Sequence, residues 1–229
     1  MTTLVACSHG TADPSGQASI RALISEVRVL LPHTKIVAAV VDVEQPQIDE
    51  VIARESALDD VIVVPLLLSV GYHTAVDISR AVHAHANVRQ TAPLGTHPLI
   101  TDVLVDRLSV ALPGGWLPGD HVVLAAAGSS NTAALDDVEC VAAQLRDRIP
   151  VPLTVGYASA SIPRITDAVA LARVNGACRV IAASHVLAPG FFAGLVSDSG
   201  ADIVSAPLAP DLRIARVVVD RFHSVLASV

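Results

Sequence analysis

The sequence predicts an α/β protein built as two similar lobes, each a parallel sheet with helices on both faces in three layers (αβα). Three observations predict it. Hydrophobic residues make up 52% of the chain but aromatics only 3%; an apolar mass of Ala, Val and Leu suits helices packed on parallel strands that are buried on both faces. Apolar strand-like runs alternate with amphipathic helical stretches, the pattern of parallel sheets with right-handed crossovers. The chain also repeats itself. Shifted by 119 positions, Leu4-Val5-Ala6-Cys7-Ser8-His9-Gly10-Thr11 falls on Val123-Leu124-Ala125-Ala126-Ala127-Gly128-Ser129-Ser130, and Ser69-Val70-Gly71-Tyr72-His73 falls on Ala188-Pro189-Gly190-Phe191-Phe192. Each histidine of the first copy is replaced in the second, by Gly128 and Phe192. That difference predicts one working half and one supporting half.

Each element has its own signal. Thr3 to Cys7 is a short apolar strand. Gln17 to Leu31 reads as a helix, with Ile20, Leu23, Ile24, Val27 and Leu31 on one face and Pro32 as its stop. Ile36 to Val41 is the second strand, and the helix after Pro46 turns Ile48, Val51 and Ile52 inward. Val61 to Leu68 is a continuous apolar run, typical of a buried parallel strand. A loop through Gly71 leads to a helix near Ala75 to His85, then a strand over Val88 to Ala92 and a helix over Leu99 to Leu112. The Pro- and Gly-rich segment 113–120 reads as a linker. The order then recurs, with strands near Val122 to Ala126, Leu153 to Ala158, Arg179 to Ser184 and Ile203 to Ser205. The helices between and after them cover Ala134 to Arg148, Arg164 to Asn175, a short stretch before Gly200, and Asp211 to Ala227. The expected domains are 1–112, with the histidines, and 121–229, each large enough to bury a core.

Composition excludes several function classes. Net charge is -7, Lys35 is the only lysine, and no Lys/Arg cluster exists. No nucleic acid or anionic membrane is expected as a partner. No apolar run approaches the roughly 18 residues of a transmembrane helix. No basic segment precedes an apolar stretch at the N-terminus, so no signal peptide is expected. Cys7, Cys140 and Cys178 make an odd count without metal-ligand spacing. A reduced cytoplasmic protein is the expectation.

The chemistry concentrates in the first copy. Open parallel sheets bind ligands beyond the carboxyl ends of their strands, where the strand order reverses. His9 follows the first strand, Asp42 ends the second, and His73 follows the third. With a strand order of 2-1-3-4, His9 and His73 flank one crevice and Asp42 lies nearby. Two imidazoles and a carboxylate can ligate a divalent first-row metal or transfer protons near neutral pH. Gly10 and Gly71 stand where the backbone turns sharply or approaches a ligand, and Thr11 and Ser69 add hydroxyl donors.

Two segments carry a family resemblance. Ala6-Cys7-Ser8-His9-Gly10-Thr11 and Pro65-Leu66-Leu67-Leu68-Ser69-Val70-Gly71-Tyr72-His73-Thr74-Ala75-Val76-Asp77-Ile78 resemble the two signature motifs of the sirohydrochlorin chelatase family of the CbiX/SirB type. Val41-Asp42-Val43-Glu44-Gln45-Pro46 resembles a third pattern of that family, with Asp in place of Glu. The first unit matches well; the second reads as a worn copy. The resemblance implies a chelatase-like, two-lobed fold with the tetrapyrrole in a cleft between the lobes. It implies insertion of Co²⁺, Fe²⁺ or Ni²⁺, as substrate, into sirohydrochlorin for cobalamin or sirohaem, with no organic cofactor. The family's histidines map onto His9 and His73 as catalytic and metal-binding residues, and its acidic position onto Asp42. Glu44 could substitute for Asp42 at that position. Gly10, Thr11, Ser69, Gly71, Tyr72, Ser129, Ser130 and His185 are the expected substrate contacts. Free backbone N–H groups after Thr11, Thr74 and Ser130 are the expected anion sites for substrate carboxylates. A covalent duplicate of a unit that elsewhere dimerises is expected to be a monomer.

Two other functions compete. A non-catalytic metal or tetrapyrrole carrier would use the same residues. Ser8-His9-Gly10 is also similar to the Arg-His-Gly opening of phosphohistidine enzymes, but that chemistry needs Arg clamps on phosphate, and Ser8 takes the Arg position.

Overall fold

The computed structural model describes residues 2–69 and 72–227. It contains two four-stranded parallel sheets. The first comprises β1 (Thr2–Ser8), β2 (Ile36–Val40), β3 (Asp60–Pro65) and β4 (Val88–Gln90); the second comprises β5 (Asp120–Ala126), β6 (Leu153–Tyr157), β7 (Arg179–His185) and β8 (Ile203–Val204). Their orders are β2-β1-β3-β4 and β6-β5-β7-β8. Both are 2-1-3-4, so the order reverses between the first and third strands of each sheet. The intervening helices are α1 (Pro14–Leu30), α2 (Ile48–Ser56), α3 (Tyr72–His83), α4 (Pro98–Ala111), α5 (Thr132–Arg146), α6 (Ile165–Val174), α7 (Phe191–Ser197) and α8 (Leu212–Leu226). Among the described residues no helix is long and apolar enough to cross a membrane.

Strand alternation builds the layers. In the first sheet Val5, Cys7, Val61 and Val63 point to one face, against Ile48, Val51 and Ile52 of α2 and Ile78, Ala81 and Val82 of α3. The alternate residues Leu4, Ala6, Ile62 and Val64 are equally buried and so serve the other face. There α1 contributes Leu23, Ile24 and Val27 and α8 contributes Ile214, Val217, Val218 and Phe222. The second sheet repeats this plan. Val123, Ala125, Val180 and Ala182 pack on Ile165, Ala168, Val169 and Ala172 of α6 and Val196 of α7, and α4 and α5 touch β7 and β6.

The compact units are not the two halves of the sequence. One consists of Met1–Gly95 with Ala209–Val229, the other of Thr96–Leu208. These units differ from the division expected at 1–112 and 121–229 in the last helix of each repeat. Helix α4, read as the end of the first lobe, packs on α5 and β7, with Thr101 Oγ1 donating to Gln144 Oε1 at 2.6 Å and Arg148 paired to Asp102 at 2.7 Å. Helix α8 packs on α1 and β3, and its Arg221 donates to the Leu94 carbonyl at 2.9 Å. The segment 113–120, expected as a linker, does not fall between these two units. It lies inside the second unit, where Leu117 N–H and the Arg179 guanidinium both bind the buried Asp120 carboxylate and Arg179 also reaches the Gly115 carbonyl.

Candidate active site

Strand β1 ends at Ser8 and delivers His9 to the carboxyl end of the first sheet, with an exposed side chain. The backbone around it is tightly held. Val41 N–H donates to the Ser8 carbonyl and Asp42 N–H to the His9 carbonyl, both at 3.0 Å, so the β1–β2 ladder continues past the strands into the site. Gly10 takes φ +96°, and a Cβ there would stand 1.9 Å from the Asp42 carbonyl oxygen. Only glycine fits. The Thr11 N–H donates to Glu44 Oε1 at 2.7 Å, the Thr11 carbonyl accepts from Gln17 at 2.9 Å, and Thr11 Oγ1 accepts from Asp13 N–H at 3.1 Å. The His9 ring has a weaker hold, a 3.4 Å contact from Nδ1 to the neighbouring Gly10 carbonyl.

Asp42 is exposed beside this turn, and its Oδ1 accepts the Val43 N–H at 2.7 Å. His9, Gly10, Thr11 and Asp42 are thus brought together by direct backbone contacts. Ser69 follows β3 and is half-buried. Gly71 lies outside the described residues, as do the side chains of Tyr72 and His73, whose backbone opens α3.

The expected anion site after Thr11 is corrected. The Thr11 N–H is taken by Glu44, and the first turn of α1 is capped by Asp13, whose carboxylate accepts Ser15 N–H at 2.8 Å. These internal carboxylates take two of the N–H groups that a substrate carboxylate would need. In the second unit Asn131 caps α5, accepting Ala133 N–H at 3.1 Å. Thr74 lies among the side chains outside the description.

Strand registers correct the repeat alignment. Leu4 pairs with Ile36 as Val122 pairs with Leu153, and Thr2 pairs with Asp60 as Asp120 pairs with Arg179. The offset between copies is therefore 118 in the first strand, 117 in the second and 119 in the third. The counterpart of His9 is Ala127, not Gly128. Gly128 matches Gly10: its φ is +86°, and a Cβ there would meet the Ser159 carbonyl at 2.0 Å. Ser159 and Ser161 replace Asp42 and Glu44, and Ser159 N–H donates to the Ala127 carbonyl at 2.9 Å. Helices α3 and α7 begin at Tyr72 and Phe191, so Phe192 stands where the first copy has His73.

Two expected substrate contacts lie inside the second unit instead. Ser129 is buried; its N–H donates to Ser161 Oγ at 3.2 Å, its carbonyl accepts from the same hydroxyl at 2.7 Å, and its own Oγ accepts Asn131 N–H at 3.0 Å. It is a turn residue with its polar atoms spent. Ser130 remains exposed. His185 ends β7 at 4% exposure, and its Nε2 is buried without a hydrogen-bond partner among the described residues. Burial pushes its pKa down from 6.5 to about 4. It is a neutral core residue, and strand register gives it Leu66 as counterpart.

A stability prediction follows for His185. The folded-state pKa lies below the unfolded one, so its contribution is fully present above pH 6.5 and is lost as pH falls towards the folded value. Between those limits the cost approaches roughly 3 kcal/mol, and it is about 2 kcal/mol at pH 5. His185→Leu removes the titration and the unpartnered nitrogen. Urea unfolding at pH 7.5 and pH 5 is expected to show a much shallower acid loss in the variant than in the wild type. Equal slopes would mean that His185 does not titrate in this range.

A cavity of about 510 Å³ lined by Trp116, Leu117, Asp120, Pro150 and Asn175 opens at the amino ends of β5 to β7. Ligands of open parallel sheets bind at the opposite, carboxyl end, where the His9 turn sits.

The chain thus carries a duplicated, open parallel α/β fold with a histidine-bearing turn at the carboxyl end of its first sheet. The chain belongs to the CbiX family, whose model matches residues 3–111 and again 121–225. Among curated relatives, the sirohydrochlorin cobaltochelatase of Methanopyrus kandleri is 24% identical over 140 residues, 49% of this chain and 98% of that protein. Among solved structures, SirB from Bacillus subtilis with Fe³⁺ superposes with a TM-score of 0.80 at 17% identity, covering 99% of this chain and 96% of that one. The sirohydrochlorin chelatase SirB from Bacillus subtilis subspecies spizizenii, in complex with cobalt, gives 0.76 at 15% identity, covering 97% and 94%.

Proposed function

We propose that this chain is a sirohydrochlorin chelatase that inserts Co²⁺ or Fe²⁺ into the macrocycle, with Ni²⁺ as a further candidate metal. The observation that carries the reading is the asymmetry between two otherwise matching turns. Both copies match the CbiX family model, but only the first presents an exposed histidine at the carboxyl end of its first strand, where the second has Ala127. The metal is a substrate, as is the free-base tetrapyrrole.

The reaction exchanges protons for metal: M²⁺ enters the ring and the two pyrrole N–H protons leave. His9 is proposed to take up one of these protons or hand over the metal from its imidazole, with His73 as the second such group. Asp42 offers the carboxylate oxygen that Val43 does not hold. Weak ligation suits transfer, because the metal must leave for the ring. The Thr11 and Ser69 hydroxyls, Ser130, Tyr72, Gly10 and Gly71 are the proposed substrate contacts. The chain is proposed to act as a cytoplasmic monomer without an organic cofactor.

Purified protein incubated with sirohydrochlorin and equal Co²⁺, Fe²⁺ and Ni²⁺, separately and in competition, tests the reading through the visible spectrum of the product. Insertion faster than the protein-free control is expected, and its absence with every metal would overturn the assignment. His73→Ala is expected to slow insertion by roughly 10² to 10⁴ while leaving the circular dichroism spectrum unchanged. Wild-type insertion by that variant would remove His73 from the mechanism.

A further inference from the structure

The two units tie down the same turn with different chemistry. In the second, Ser161 both accepts the Ser129 N–H and donates to the Ser129 carbonyl. In the first, the carboxylate of Glu44 accepts the Thr11 N–H at 2.7 Å, shorter than the 3.2 Å of the serine version and charge-assisted. The stronger tie stands in the unit that carries the histidine. The His9 ring itself meets only a 3.4 Å contact to its neighbour's carbonyl, so what the structure fixes is the backbone position from which the exposed imidazole projects. That backbone is held on one side by the Asp42 N–H on the His9 carbonyl, and on the other by Glu44 on the Thr11 N–H, with Gln17 on the Thr11 carbonyl and Asp13 N–H on the Thr11 hydroxyl. Between them lies Gly10, which has no side chain to stiffen the turn.

We infer that Glu44 is a positioning residue for His9: its carboxylate holds the Thr11 N–H, helps fix the 9–11 turn against the Asp42 strand end, and so sets the point from which the imidazole projects. Its catalytic consequence rests on the chelatase reading; its structural content does not. The inference also assigns the Thr11 N–H to the protein and leaves the Thr11 hydroxyl hydrogen as the donor this residue can offer to a substrate.

The test uses the whole chain as wild type, Glu44→Gln, Glu44→Ala, His9→Ala and the double variant Glu44→Ala/His9→Ala. Glutamine keeps an acceptor oxygen at the same reach; alanine removes it. Amide exchange at ¹⁵N-labelled Thr11 and the ring resonances of ¹³C-labelled His9 are read without substrate or metal. Exchange at Thr11 is expected to rise about 10-fold or more in Glu44→Ala, with shifted His9 ring signals, and to stay near wild type in Glu44→Gln. In the insertion assay Glu44→Ala is expected to lower kcat roughly 10- to 100-fold with little change in KM, and Glu44→Gln to remain within about threefold of wild type. The double variant is expected to be no slower than His9→Ala, because a residue acting through His9 has nothing left to position. Unchanged Thr11 exchange in Glu44→Ala overturns the inference. So does multiplication of the two losses in the double variant, or a Glu44→Gln as impaired as Glu44→Ala. An inert wild type overturns the chelatase reading, and Thr11 exchange then decides the anchoring by itself.

Discussion

Gly10→Ala is expected to lose metal insertion almost entirely and to destabilise the first unit. The argument is steric. At φ +96° a new Cβ would stand 1.9 Å from the Asp42 carbonyl oxygen, and that oxygen cannot swing aside as a flexible side chain would. Asp42 is fixed by its own N–H on the His9 carbonyl and by its neighbour Val41 on Ser8. Relief therefore requires the turn to part from the β2 end, breaking those bonds and moving His9 and Asp42 away from each other. A non-glycine residue in such a conformation costs about 1–3 kcal/mol, and each displaced bond adds about 1 kcal/mol. The matched control is Gly128→Ala. It meets a backbone oxygen at 2.0 Å with φ +86°, so the same strain and a similar fall in the urea midpoint are expected. Its turn carries Ala127, and kcat is expected to stay within about fivefold of wild type. Equal losses of activity in the two variants would mean that the second turn shares in catalysis.

Much of this architecture is legible in the sequence. The apolar run after Pro32 and the run at Val61 give buried parallel strands because both faces of such strands need apolar side chains, and caps and prolines place the helices within a few residues. The run Val61–Leu68 overstates the third strand, which ends at Pro65. Leu66, Leu67 and Leu68 remain apolar in the loop, and hydrophobicity does not report where ladder pairing stops. The exchange of last helices is invisible for a related reason. Ile100, Val103, Leu104 and Leu108 mark a buried face on α4, but a face does not say which sheet covers it. Both repeats end in such a helix, so the sequence fits either arrangement.

Within the site, His9, Gly10 and Asp42 are readable from strand ends and from the resemblance, and the structure joins them through backbone contacts. The counterpart of His9 is not readable from one fixed offset. Loop lengths shift the copies to offsets of 118, 117 and 119 in successive strands, and only the glycine with positive φ anchors the turn. The tie from Glu44 to Thr11 spans 33 residues and has no local pattern. The strand-end position of His185 fits either a substrate contact or a core histidine. The alternation along β7 turns it inward, where the first unit keeps Leu66.

His9→Ala is expected to slow metal insertion by roughly 10² to 10⁴, the usual worth of a positioned acid or base, and Ala127→His is not expected to restore it. The first half of the expectation follows from exposure and placement: His9 sits at the carboxyl end of β1, beside the strand-order reversal, with Asp42 against the same turn. The second half follows from what the other turn lacks. A histidine at 127 would occupy the same point on an equivalent backbone, but Ser159 stands in place of Asp42 and Phe192 in place of His73. It would have neither a ligand set for the metal nor a second imidazole for the other proton. Co²⁺ titration at neutral pH, counted per chain, separates the possibilities. Wild type is expected to hold one exchangeable ion, and His9→Ala/His73→Ala none, with or without Ala127→His. A tightly held ion that survives loss of both first-unit histidines would place the metal elsewhere and end the reading of one working half and one supporting half.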